Sequence, residues 1–163
     1  MCGIVGIIGG KPVSRLIYHS LFAIQHRGQS SAGKLTYDGN IHIFKDAGLV
    51  RDVFNDEKKI DTPGNIGIGH TRYSTAGMDD LESLKRNAQP EYIVNPFLAA
   101  VHNGNIYNCN EMAKKTKRKP RTECDIQWLL LPIADNLYNK EVNADTIFQA
   151  CSIVMSQVKG SYS

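Results

Sequence analysis

Residues 1–8, Met1-Cys2-Gly3-Ile4-Val5-Gly6-Ile7-Ile8, set a short apolar run directly behind a cysteine. The run is too short for a stable helix and rich enough in Ile and Val to predict a buried strand over 3–8. Gly9-Gly10-Lys11-Pro12 ends it, and Val13, Leu16, Ile17, Leu21 and Ile24 then recur at helical spacing, predicting an amphipathic helix over 13–26. His26 to Gly33 is polar, small and glycine-punctuated, which reads as a loop. Residues 34–37 and 41–45 flank Asp38-Gly39-Asn40 as a hairpin. Ile66-Gly67-Ile68-Gly69-His70-Thr71 reads as a central strand, its glycines placed where backbones crowd.

Further on, residues 78–87 are charged and predict an exposed loop or short helix. Phe97 to His102 predicts another buried strand, ending at Asn103-Gly104-Asn105. A helix follows over about 124–138, kinked or ended by Pro132. A last helix carries Ala144, Ile147, Phe148, Cys151, Val154, Met155 and Val158 on one face, with Asn143 as N-cap and Gly160 as C-cap. Ser161-Tyr162-Ser163 reads as the opening of one more strand. Strands in groups with helices between them predict an α+β or layered α/β class in one domain.

Composition narrows the setting. Hydrophobic residues make up 42% of the 163 and charged residues 21%, a globular balance rather than a disordered one. No apolar run is long enough to cross a bilayer, and the N-terminus lacks a signal-peptide pattern. Four cysteines, at 2, 109, 124 and 151, show no zinc spacing and read as reduced thiols, which predicts a cytoplasmic protein. Lys114, Lys115, Lys117, Arg118, Lys119 and Arg121 form a run without an acid. Such a run is either a footprint for nucleic acid or an acidic partner, or a solvated helix end; no aromatic stacking platform accompanies it.

Four positions carry possible chemistry. Loss of Met1 would give Cys2 a free α-amine, a base titrating near pH 8, on the same residue as a nucleophilic thiol. The alternative is a small residue at a strand start. Arg72, just past a buried strand, suits a two-bond grip on a carboxylate, or a surface ion pair. Asn103 and the Gly104 N–H suit an oxyanion hole, or an ordinary Asn-Gly turn. Asp125 suits a substrate ammonium, or a helix N-terminus.

Together, Met1-Cys2-Gly3-Ile4-Val5-Gly6, Gln25-His26-Arg27-Gly28-Gln29, Gly69-His70-Thr71-Arg72-Tyr73-Ser74-Thr75-Ala76-Gly77, Gln89-Pro90 and His102-Asn103-Gly104-Asn105 resemble the class II glutamine amidotransferases. Within that class, the loops are most similar to the purine-synthesis branch. The resemblance implies an N-terminal-nucleophile hydrolase fold, a four-layer αββα sandwich, here incomplete at its C-terminus. It implies a truncated glutaminase domain over 1–163 that lacks the branch's phosphoribosyltransferase domain, with a second chain as the partner that would supply it. By the same resemblance Cys2 attacks the glutamine side-chain amide, and Asn103 with Gly104 holds the oxyanion. Arg72 binds the α-carboxylate, Asp125 the α-ammonium, Arg27 orders over the ligand, and Tyr73 and Thr75 line the pocket.

The resemblance implies glutamine as substrate, no metal or cofactor, and no nucleic acid or membrane partner. A non-catalytic remnant or binding module of the same family is the alternative. Departures from the family pattern fall at Ser30, where an acid is usual, at Lys34, where an apolar residue is usual, and at Cys124-Asp125-Ile126-Gln127.

Overall fold

A computed structural model describes residues 1–74 and 80–163. These fall into two compact units, one of residues 1–90 with 101–103, the other of 91–100 with 104–163.

The first unit is built on a four-stranded antiparallel sheet. Its strands are β1 (Gly3–Ile8), β2 (Ser31–Tyr37), β3 (Ile41–Ala47) and β4 (Ile66–Arg72), in the order β1-β4-β2-β3. Helix α1 (Ser14–Ala23) packs on one face, with short helices α2 (Val50–Val53) and α3 (Glu57–Ile60) beside it, while α4 (Leu81–Arg86) packs against β3. The glycines of β4 are what let α1 dock. A Cβ on Gly67 would lie 2.6 Å from Ile17, and one on Gly69 2.7 Å from Ile17 and 2.9 Å from Leu21. Val13, Ile17, Leu21, Ala32, Val50, Val53 and Phe54 form the core beneath this helix.

Lys34 lies inside that core, where the hairpin pattern predicts nothing unusual. It is 1% exposed. Its Nζ donates to the Ile60 carbonyl at 2.7 Å and to Ser14 Oγ, with the Phe54 ring 5.6 Å away. Burial pushes its pKa down to about 8, with Asp61 opposing the shift in part. In the unfolded chain the same group titrates near 10.5, so between about pH 8 and 10.5 the unfolded state holds the extra proton. Stability therefore rises with pH across that window, and below it the charged lysine costs about 3 kcal/mol.

Ser14 Oγ also donates to Ile60 O, and Thr36 and Thr62 pair at 2.8 Å, so the polar cluster survives loss of the ammonium. Lys34→Met is expected to raise stability at pH 7 by about 1–3 kcal/mol and to flatten the alkaline slope. Urea unfolding at pH 7, 8.5 and 10 checks it; an unchanged slope contradicts it.

The second unit holds two small antiparallel sheets. One pairs β5 (Glu91–Ile93) with β6 (Leu98–Ala100), the other β7 (Gly104–Ile106) with β8 (Gly160–Tyr162). Helices α5 (Cys109–Ala113), α6 (Gln127–Leu137) and α7 (Ala144–Met155) pack with them. Pro132 sits inside α6 and does not end it. Asn143 closes a capping box with Thr146 at the start of α7. The helix ends at Ser156, and Gly160 opens β8 instead of capping it. Only Ala150 and Val154 of α7 are buried, while Phe148 is 73% exposed, so the apolar face read from the sequence is largely outward. In the basic run, Arg118 pairs with Asp135 at 2.8 Å and Arg121 lies 4.1 Å over the Tyr92 ring.

Candidate active site

Cys2 precedes β1, whose register pairs Gly3 with Thr71, so the cysteine falls beside the Arg72 end of β4. Residue 103, 101 positions away, returns to the same place. The Cys2 N–H donates to Asn103 Oδ1 at 2.9 Å. With Met1 in place the Cys2 nitrogen is a peptide N–H, which can only donate, so this contact fixes which end of the amide faces the cysteine. The Asn103 NH2 is left as a donor with no other partner among the described residues. Tyr73 N–H points at Cys2 Sγ at 3.5 Å, and Arg27 Nε donates to the Cys2 carbonyl at 3.1 Å. Cys2 is half-buried, and Tyr73 is exposed.

The turn that carries Arg27 is held from both sides. Gln25 takes the Val50 N–H on its Oε1 and donates its Nε2 to the Gly28 carbonyl, closing the 3-10 turn Gln25–Arg27. Gly28 then passes so close to β4 that a Cβ there would lie 2.5 Å from the Arg72 carbonyl carbon. Ser30 N–H donates to Arg72 O at 2.9 Å, and its hydroxyl accepts from Ser74 N–H at 3.1 Å. Thus Ser30, at a position where the family usually has an acid, ties the loop after Arg72 back to the loop before β2.

Of the residues singled out from sequence, Cys2, Arg27, Tyr73 and Asn103 are in direct contact, and Arg72 adjoins them at the end of β4. Gly104 and Asp125 belong to the second unit. Gly104 opens β7, with Ser161 and Tyr162 of β8 so near that a Cβ would lie 2.2 Å from Ser161 O. Asp125 precedes α6, where its carbonyl accepts from Trp128 N–H at 3.0 Å, and its Oδ2 accepts from Ile106 N–H at 3.1 Å. Thr75 lies outside the described residues. Sequence reasoning missed the Tyr73 N–H on sulfur, since a backbone donor leaves no mark in residue identity. It also missed His70, which is fully buried, donates to the His102 carbonyl at 3.1 Å, and is pushed down to about 3 by burial.

Among the described residues no group of three or more His, Cys, Asp or Glu could hold a metal ion, and no helix is long and apolar enough to cross a membrane. All four cysteines are free thiols.

No family model matches the chain. It is 41% identical to the amidophosphoribosyltransferase of Escherichia coli over 99% of its own length and 33% of that protein. Its identity to the amidophosphoribosyltransferase of Methanocaldococcus jannaschii is 45% over 73% of this chain and 26% of the relative. The solved glutamine phosphoribosylpyrophosphate amidotransferase of B. subtilis, complexed with ADP and GMP, superposes with a TM-score of 0.78. It is 27% identical over 99% of this chain and 34% of its own. A structure described as the allosteric regulatory enzyme of purine biosynthesis gives 0.81 at 26% identity, over all of this chain and 34% of that one. The chain thus spans about a third of the length of the relatives it matches. The α+β class and the resemblance read from the motifs are both upheld over the full sequence.

Proposed function

As a homologue of the amidophosphoribosyltransferases along 99% of its length, the chain carries, we propose, a glutaminase site with Cys2 as nucleophile. The contact of Cys2 N with Asn103 Oδ1 supports this reading most, because it joins two residues such chemistry needs that lie 101 positions apart. Met1 is 73% exposed and the residue behind it is small, so its removal would free the Cys2 amine.

The chemistry then follows from the groups present. The Cys2 amine takes the thiol proton, and Sγ attacks the side-chain amide carbon of glutamine. The carbonyl oxygen becomes an oxyanion facing the Asn103 NH2; the resemblance adds the Gly104 N–H, one peptide bond on. The amine returns its proton to the leaving nitrogen, ammonia departs, and a γ-glutamyl thioester remains. Water, deprotonated by the same amine, attacks that thioester, and glutamate leaves as the thiol is restored. The Tyr73 N–H, 3.5 Å from Sγ, lies beside the attacking atom.

At the substrate's other end, the resemblance assigns Arg72 to the α-carboxylate and Asp125 to the α-ammonium. Reading both charged groups selects free glutamine over a glutamine side chain within a peptide. The ammonia would pass to a phosphoribosyl acceptor on a further domain or a second chain, in a reducing cytoplasmic setting that suits four free thiols.

The test is glutamate release from glutamine by the purified chain, with Arg72→Gln alongside. Loss of a charge-assisted two-bond contact is expected to raise KM about 10–100-fold with a smaller change in kcat. An unchanged KM removes Arg72 from substrate binding, and absence of any release counts against the reading as a whole.

A further inference from the structure

His102, the residue before Asn103, is gripped at both of its backbone polar groups by side chains. Its N–H donates to Gln89 Oε1 at 2.7 Å, and its carbonyl accepts from His70 Nε2 at 3.1 Å. All three residues are buried, His70 at 0%, Gln89 at 3% and His102 at 5% exposure. A carbonyl only accepts, so the His70 proton resides on Nε2. The other ring nitrogen, Nδ1, is then a buried acceptor with no partner among the described residues. Leaving it so costs free energy, and the ring's one hydrogen bond among the described residues is the one to His102.

The surroundings are shaped to bring Gln89 there. His70 pairs across the sheet with Gly33 of β2 and with Ile4 of β1, two residues from Cys2. Gly33 leaves the space: a Cβ on it would lie 2.2 Å from the Gln89 carbonyl oxygen. Lys45, paired with Gly33 from β3, donates its Nζ to Ala88 O at 2.6 Å and Pro90 O at 3.2 Å, on either side of Gln89. Sheet, lysine and glutamine are thus arranged around one peptide, and the side chain that follows it is the one bonded to Cys2 N.

We propose that Gln89 and His70 are positioning residues for the Asn103 amide, fixing the direction of its free NH2 without touching substrate. The proposal rests on the glutaminase reading, since it assigns that NH2 to the oxyanion. An amide donor displaced by about an ångström costs around 10²-fold in rate, which is the scale at stake.

The experiment compares Gln89→Met, which removes the acceptor, His70→Leu, which removes the donor, and His70→Gln, whose Nε2 stands the same number of bonds from the backbone. Four quantities are read on each: kcat and KM for glutamate release, alkylation of Cys2 by iodoacetamide, and the Asn103 side-chain NH2 resonance, assigned by its loss in Asn103→Ala. Gln89→Met and His70→Leu are expected to lower kcat about 10–100-fold, with KM and alkylation within about threefold, and to move or broaden the Asn103 resonance. His70→Gln restores most of kcat and the resonance.

A kcat per folded molecule that stays at the wild-type value, with the Asn103 resonance in place, overturns the proposal. If His70→Leu does not fold, Gln89→Met and His70→Gln decide the matter by the same readings. A wild-type chain that releases no glutamate, yet whose Asn103 resonance shifts in these variants, refutes the glutaminase reading and upholds the clamp.

Discussion

Cys2→Ala is expected to reduce glutamate release about 10⁴-fold or more, to the level of uncatalysed hydrolysis in the assay. The size follows from what the residue would supply. Its sulfur forms the covalent bond to the substrate, and its amine carries the proton in both half-reactions, so the thioester route vanishes when the thiol goes. The fold should not register the loss: Cys2 is half-buried, lies outside β1, and its backbone N–H and carbonyl contacts to Asn103 and Arg27 remain. Thermal unfolding of the alanine variant within about 1 °C of wild type, with release abolished, is therefore the expected pair of results. Residual release at a tenth of the wild-type rate would mean that another group performs the attack.

Asn103 carries the second large effect, and two substitutions separate its two contacts. Asn103→Ala removes both the acceptor for Cys2 N–H and the free NH2, and is expected to lower kcat about 10²–10³-fold. Asn103→Asp keeps an oxygen for Cys2 N–H at 2.9 Å but replaces the donor with a negative charge facing the developing oxyanion. Its kcat should fall at least as far as that of alanine. Were aspartate to retain most of the activity, the Cys2 contact alone would be what matters and the oxyanion assignment would fail. Steady-state kinetics on the three proteins distinguishes these cases.

Much of the first unit is legible in the sequence because its signals are local. The Ile/Val run gives β1, the 3.6-residue spacing gives α1, Asp38-Gly39-Asn40 gives the β2–β3 hairpin, and the glycines at 67 and 69 mark where α1 meets β4. What periodicity cannot say is what a face meets. Along the apolar face of α7, Ala150 and Val154 turn inward while Ile147, Phe148 and Met155 face out. The long apolar stretch at 97–102 yields only the three residues of β6, because the chain leaves the sheet to put His102 against Gln89 and His70.

Burial of Lys34 is not written in the hairpin alternation, which lets a lysine stand at any outward position; its one sequence sign is that an apolar residue is usual there. Its partners Ser14, Ile60 and Thr62 come from three separate elements. For the site, single residues left every choice open: Cys2 as a strand start, Asn103-Gly104 as a turn, Arg72 as an ion pair. Only the ordered set of motifs singled them out. The contacts between them depend on antiparallel register and on backbone donors such as Tyr73 N–H, neither of which is written in residue type.

The measurement that bears most directly on Cys2 is the intact mass of the chain after exposure to a diazoketone analogue of glutamine. A single turnover is enough, so slow catalysis does not hide a formed pocket. Loss of Met1 and one adduct, mapped to Cys2 and prevented by excess glutamine, is the expected result. Loss of Met1 with no adduct would contradict it: the nucleophile would be exposed without a pocket to serve, and the chain would be a binding remnant of the amidotransferase fold.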